Sequence, residues 1–348
     1  MKQRPFRELC PPSCGPSLAK PVRRLRSTML GQLLALGSMI YLLLPGVAVA
    51  ADLVVAMPNW PSGQVTANII KSALKKDLSL DVEVREMGTM TAFAGLASGQ
   101  VDIHPEVWLP NLASLVGRYA GKDGPVQIAD IGVSAWQGIC TTRQTVEKTG
   151  IRAVADLLDP KKTAAFDTDG DGQGEMWVGA ETWSSTAIER IRASSYGYAK
   201  TMRLLQMPEE MGMAAVDAAE ATGKPIIFAC YSPHVVFKLH DIVKLDEPAY
   251  DAAKWHVVLP ADDPDWLSKS SAPVAWDKAH FHIAYAKALA TRKPEVTKFL
   301  ESIDFTPEEI IEMSYAVEVD RQLPAAYAES WVAKNGDRVA KWLKGRVQ

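Results

Sequence analysis

The sequence predicts an α/β fold with a largely parallel sheet. Short apolar runs recur along the chain, stretches of about ten residues with helical apolar spacing alternate with them, and Gly, Pro, Asn and Ser punctuate the joints. With 348 residues there is room for two domains.

Asp52–Met57 reads as the first strand, Pro58–Gly63 as a turn and Gln64–Lys75 as an amphipathic helix. Leu80–Arg85 alternates as a second strand, with Val82 and Val84 on one face. Thr89–Ala97 is helical, and Val101–Ile103 is a third short strand. A second set of elements begins near Trp136. There Gln137–Thr142 is a strand, Val154–Leu158 a short helix and Asp167–Gly174 an acidic, Gly-rich loop. Ser184–Met202 has helical spacing and a Ser/Thr-rich start suited to capping. Pro225–Ala229 and Asp241–Leu245 are strands, Pro260–Ala272 is polar and turn-rich, and Phe281–Ala290 runs from strand into helix. Thr306-Pro307-Glu308-Glu309 is a capping box with Pro at the first helical position. Leu323–Leu343 places Trp331 and Trp342 on helices. No repeat or low-complexity linker separates the two sets, so two domains would share the chain by crossing between them more than once.

The N-terminus has a different character. Seven Lys and Arg against Glu8 lie in residues 1–28, an apolar run follows from Met29 to about Val47, and the run ends in Ala48-Val49-Ala50. That is the layout of a secretory signal peptide, with cleavage expected between Ala50 and Ala51. Gly31, Gln32, Gly37, Pro45 and Gly46 interrupt the run, which disfavours a membrane anchor. Without residues 1–50 the net charge is about −9, which argues against nucleic-acid binding. A soluble, exported, periplasmic product is expected. Cys140 and Cys230 remain in it, and the sequence leaves both a bridge and two buried thiols open.

Phosphate-loop, nucleophile-elbow, zinc-protease and Cys-x-x-Cys motifs are missing. The six histidines are scattered. Ser184-Ser185 has no identifiable base; a helix N-terminus whose N–H groups bind a carboxylate explains these small residues better. One stretch looks metal-like. Asp167, Asp169 and Asp171 with Gly172 match the first half of a calcium loop, and Gln173 and Glu175 complete the candidate set. The glutamate expected at position twelve is replaced by Val178, so an acidic solvent turn is the competing reading. A calcium ion there would be structural, and no other cofactor is expected.

Aromatics carry the functional signal. Trp108, Trp183 and Tyr231 stand among Pro, Ser and Asn, where regular elements give way to turns. Trp60 lies at a strand-to-helix turn, where α/β sheets bind ligands. Trp255, Trp266, Trp276, Trp331 and Trp342 sit in helical or apolar contexts suited to packing. Rings converging on one cavity form a receptor for a quaternary ammonium cation. Glu106, two residues before Trp108, would share its face in a strand and add Coulomb attraction. Such a carboxylate favours a net cation such as choline, or accepts from a protonated N-oxide.

Four segments, in order, resemble the glycine betaine/proline betaine substrate-binding proteins of ABC importers: Gly99–Asp102 through Trp108-Leu109-Pro110, Ala155–Pro160, Phe166–Gly172, and Gly223-Lys224-Pro225 through Tyr231-Ser232-Pro233. The resemblance implies a type II periplasmic binding-protein fold with two lobes and a ligand cleft. The chain would cross near Val133–Gly138 and Pro273–Phe281, giving lobe I as residues 51–135 and 277–348 and lobe II as 136–276. It makes Trp108 and Trp183 box tryptophans, with Tyr231 where many members have a third tryptophan and Trp60 completing the box. Thr182 and Ser184 replace the cysteines that flank the tryptophan loop in some members. It also implies a monomer that delivers its solute to a membrane permease driven by a cytoplasmic ATPase. Choline or trimethylamine N-oxide are the alternative ligands. An exported enzyme on the same fold would need a convergent acid–base pair, and a sensory subunit would share the same sequence features.

Overall fold

A computed structural model describes residues 51–345. The leader expected over residues 1–50 lies outside the described residues. Among those described, no helix is long and apolar enough to cross a membrane.

The chain begins β1 (Leu53–Met57), α1 (Pro61–Leu78), β2 (Val82–Glu86), α2 (Thr89–Ser98), β3 (Ile103–Leu109) and α3 (Ala113–Tyr119). A long strand, β4 (Val126–Thr142), is followed by α4 (Arg143–Thr149), α5 (Pro160–Thr163), β5 (Gly174–Trp177) and α6 (Ser184–Tyr196). Next come β6 (Met202–Leu205), α7 (Glu209–Thr222), β7 (Ile227–Ser232), α8 (Val236–Leu239) and β8 (Ile242–Lys244). The chain closes with β9 (Ala279–Ala286), α9 (Leu289–Arg292), α10 (Pro294–Leu300), α11 (Pro307–Glu318), α12 (Pro324–Lys334) and α13 (Gly336–Lys344).

The strand order is β2-β1-β3-β9-β4-β7-β5-β6, with β8 added to β4. β4 serves both halves of the sheet. Through Ala135 it pairs antiparallel with β9, and from Trp136 it pairs antiparallel with β7. β1 pairs parallel with β2 and β3, and β5 parallel with β6 and β7. In the first half, α1, α11, α12 and α13 bury Val65, Ile69, Ile310, Met313, Trp331 and Trp342 against one face, and α2 and α3 cover the other with Phe93, Leu96 and Leu115. The second half has its own apolar clusters, around Ile139, Met176 and Tyr198 and around Cys140, Trp177 and Phe228.

Trp108 and Tyr231 are the next-to-last residues of β3 and β7, where each strand gives way to a turn or bend as the sequence suggested. Several elements differ from the sequence reading. β3 is buried along nearly its whole length, so it lacks the alternation of a half-exposed strand. Pro105 is tolerated where the β3–β9 register shifts between His104 and Val107. α6 ends at Gly197, whose φ of 96° stops the helix. The residues read as its continuation form a single 3-10 turn over Tyr198–Lys200, and only Met202 belongs to β6. Cys140 and Cys230, on neighbouring strands β4 and β7 with Cα atoms 5.7 Å apart, are joined as a disulfide.

Candidate functional site

Both halves line one cleft. Trp60, Thr89, Glu106, Trp108, Asn111 and Leu112 come from the first half, and Gln137, Trp183, Ser184, Ser185 and Tyr231 from the second. All seven ligand-site candidates from the sequence stand in this lining.

Local sequence sets each ring. Trp60 is the N-cap residue of α1 and Trp183 that of α6, and neither helix start has a side-chain cap. Small residues make room behind both. A Cβ on Gly63 would lie 2.8 Å from Trp60 Nε1, and one on Gly179, at φ 111°, would lie 2.9 Å from Trp183 Cε3. Trp108 and Tyr231 each precede a cis X–Pro bond by one residue, at Leu109–Pro110 and Ser232–Pro233. The rings meet edge to face. Centroids are 6.2 Å apart for Trp60 and Trp183, 6.0 Å for Trp183 and Tyr231, and 5.4 Å for Trp108 and Tyr231. Phe281 supports Trp108 from behind at 4.8 Å, and Trp177 supports Trp183 at 5.9 Å.

Hydrogen bonds lock the box. Trp60 Nε1 donates to Glu106 Oε2 at 2.6 Å, and Trp183 Nε1 donates to Asn59 Oδ1 at 3.0 Å, across the two halves. Ser62 and Thr66 hydroxyls also donate to Glu106, at 3.2 and 3.3 Å. Glu106 is fully buried, and burial pushes its carboxyl from 4.5 to about 7 against these donors. Asn111 and Gln137 exchange amide hydrogen bonds of 2.9 and 2.7 Å beside the cavity. Behind Tyr231, its hydroxyl donates to the buried carboxylate of Glu209. Sequence reasoning missed Asn59, Thr89, Asn111, Leu112, Gln137 and Glu209. Their roles arise from contacts between distant segments and leave no local pattern.

The aromatic box suits a methylated ammonium group, whose charge the ring faces stabilise away from water. Asn111, Gln137, Thr89 and the open first turn of α6 at Ser184 and Ser185 offer polar partners for an anionic end.

The acidic loop lies apart from this lining. Asp167, Asp169, Asp171 and Glu175 come together, with one oxygen of each within 4.8 Å of the others. The side-chain amide of Gln173 donates to the Lys200 carbonyl at 3.1 Å. Arg203 reaches Asp169, Asp171 and Glu175 and supplies the positive charge there. Asp167 accepts from the N–H groups of Gly170 and Gly172, as an Asp-rich turn does.

The family model for the substrate-binding domain of ABC-type glycine betaine transport systems matches residues 51–334. A glycine betaine/proline betaine-binding periplasmic protein of Salmonella typhimurium is 23% identical over 268 residues, which span 74% of this chain and 79% of that protein. Among solved structures, lactococcal OpuAC, closed on glycine betaine, aligns with a TM-score of 0.62 at 19% identity. The alignment covers 84% of this chain and 98% of that one. An ABC-transporter choline-binding protein in complex with choline aligns with a TM-score of 0.66 at 17% identity, covering 84% and 91%. The shared architecture is the type II periplasmic binding-protein fold.

Proposed function

Because the chain belongs to the family of substrate-binding domains of ABC-type glycine betaine transport systems, we propose that it captures glycine betaine, or a close quaternary ammonium relative, in the box of Trp60, Trp108, Trp183 and Tyr231. One observation carries this reading: four aromatic side chains from both halves line a single cavity. The trimethylammonium group sits among the ring faces, and the carboxylate is held by Ser184, Ser185 and the neighbouring amides. The two halves act as lobes, and a ligand touching both favours their closed arrangement. The protein works in the periplasm and hands the solute to a membrane permease powered by an ATPase. Nothing in this reading makes or breaks a covalent bond.

Glu106 favours a second ligand, choline. A buried carboxylate beside the rings attracts a net cation more than a zwitterion. Calorimetric titration with glycine betaine, proline betaine, choline, carnitine and trimethylamine N-oxide tests both readings. Heat from the betaines supports the first and a preference for choline the second; no heat from any of the five refutes both.

A further inference from the structure

Behind the box lies a group of two buried residues and one half-buried one that the capture of a cation does not itself require. Glu209 opens α7, His234 follows β7, and Glu318 ends α11. One oxygen of each carboxylate and one ring nitrogen of His234 lie within 4.8 Å of one another. Glu209 and His234 belong to the second half of the sheet, whereas α11 packs in the core of the first. The same faces meet again where Lys238 of α8 stands 4.5 Å over the ring of Tyr315 on α11.

The hydrogen-bond directions define what this group can do. The Val236 N–H donates to His234 Nδ1 at 3.1 Å, so Nε2 carries the ring proton and donates to Glu209 Oε1 at 2.9 Å. That ring therefore offers no free nitrogen to a metal. The Tyr231 hydroxyl donates to the same Oε1. Both donors are spent on one oxygen. Oε2 of Glu209 and Oε2 of Glu318 are buried with no hydrogen-bond partner among the described residues. Two carboxylates so placed repel each other unless one holds a proton.

We propose that Glu209 positions Tyr231 in the ligand box and that Glu318, reaching it from the other half, shares a proton with it, so that ligand capture takes up a proton. This rests on the quaternary ammonium reading above. Burial, reinforced by the facing Glu209, pushes Glu318 up to about 7. Asp217 of α7 acts in the same direction, while His234 and Arg321 oppose it. With the halves apart, Glu318 meets water and returns toward 4.5. Between those values closure binds a proton, and affinity falls as pH rises.

The test is calorimetry of glycine betaine and choline binding between about pH 5 and 8.5, in buffers of different ionisation enthalpy. The wild type is compared with E318Q, and E209Q is compared in the presence and absence of Y231F. Glu106 titrates in the same range in every variant, and His234 is held above its ordinary 6.5 by Glu209 and Glu318 against its burial, so the difference between wild type and E318Q reads the Glu209–His234–Glu318 group as a whole. Near pH 6, E318Q should take up about one proton fewer than the wild type and show a flatter affinity profile. E209Q should weaken binding several-fold when Tyr231 is present and much less in Y231F, where only its effect on the Glu318 proton remains. Equal proton uptake in E318Q and wild type overturns the shared proton, and an undiminished E209Q effect in Y231F overturns the positioning role. No binding of either ligand at any pH overturns the functional reading and this inference with it.

Discussion

Replacing Glu106 with Gln removes a buried charge and keeps its shape. The amide oxygen can accept from Trp60 Nε1, as Oε2 does at 2.6 Å, while the amide nitrogen meets the hydroxyl oxygen of Thr66. Burial lifts the Glu106 carboxyl from 4.5 to about 7. That rise corresponds to about 3 kcal/mol held against the ionised form in the unliganded protein. The sign follows from proton binding. The folded protein keeps a proton on Glu106 over a range where the unfolded chain has released it. Its contribution is full below about 4.5 and is lost as pH climbs through about 7. At pH 8 the Gln variant should therefore be more stable than wild type by about 3 kcal/mol without ligand, with little difference near pH 4. Ligand binding reverses the comparison for a cation. At a separation of about 6 Å and an effective dielectric of about 20, attraction is roughly 3 kcal/mol, about a hundredfold in affinity. Choline should lose up to that factor in the variant at pH 8, and the ratio of wild-type to variant affinity should rise with pH through about 7. Glycine betaine should lose far less, because its carboxylate offsets the attraction. Scanning calorimetry and isothermal titration read the two effects. An equal loss for both ligands, or no gain in melting temperature at pH 8, would refute this account.

Trp108→Ala should weaken ligand binding by at least roughly tenfold, about 1.4 kcal/mol, in the same titration; unchanged affinity would remove Trp108 from the site. Reducing the Cys140–Cys230 bridge, which spans a sequence separation of 90, should cost on the order of 4 kcal/mol in chemical denaturation. A change below about 1 kcal/mol would show that the unfolded chain is not constrained by the bridge. The melting temperature should be indifferent to calcium and to a chelator, because the Arg203 guanidinium already pairs with Asp169, Asp171 and Glu175. A rise with calcium would mean that an ion displaces the guanidinium and that the loop is a metal site.

The strand–helix alternation from β1 to α2 was legible because its burial follows simple periods. Trp60 and Trp183 were legible as site residues because each stands at a turn into a helix. β3 was harder. Six of its seven residues are buried, on both faces, and Pro105 and Pro110 suggest a turn where the chain runs extended. α7 escaped notice because its buried stripe is thin, only Glu209, Gly212, Val216 and Ala219. The first part of β4 is half-buried without regular alternation, so neither period marks it. The amide pair of Asn111 and Gln137 and the bond from Trp183 to Asn59 join segments that are 26 and 124 residues apart, and no local pattern encodes such a meeting.

Trp60 and Trp183 each stand one residue ahead of a helix start that has no side-chain cap. In the second case, the ring proposed to take a ligand's positive end and the N–H groups proposed to take its negative end belong to successive residues. Their Cα atoms are about 3.8 Å apart by covalent geometry alone. On that reading the distance between the two is set by the backbone and by the Trp183 rotamer, which the bond to Asn59 and the packing of Trp177 hold. The proposed site should therefore discriminate solutes by the spacer between their charges, and a longer spacer such as that of carnitine should bind more weakly than glycine betaine in the same titration.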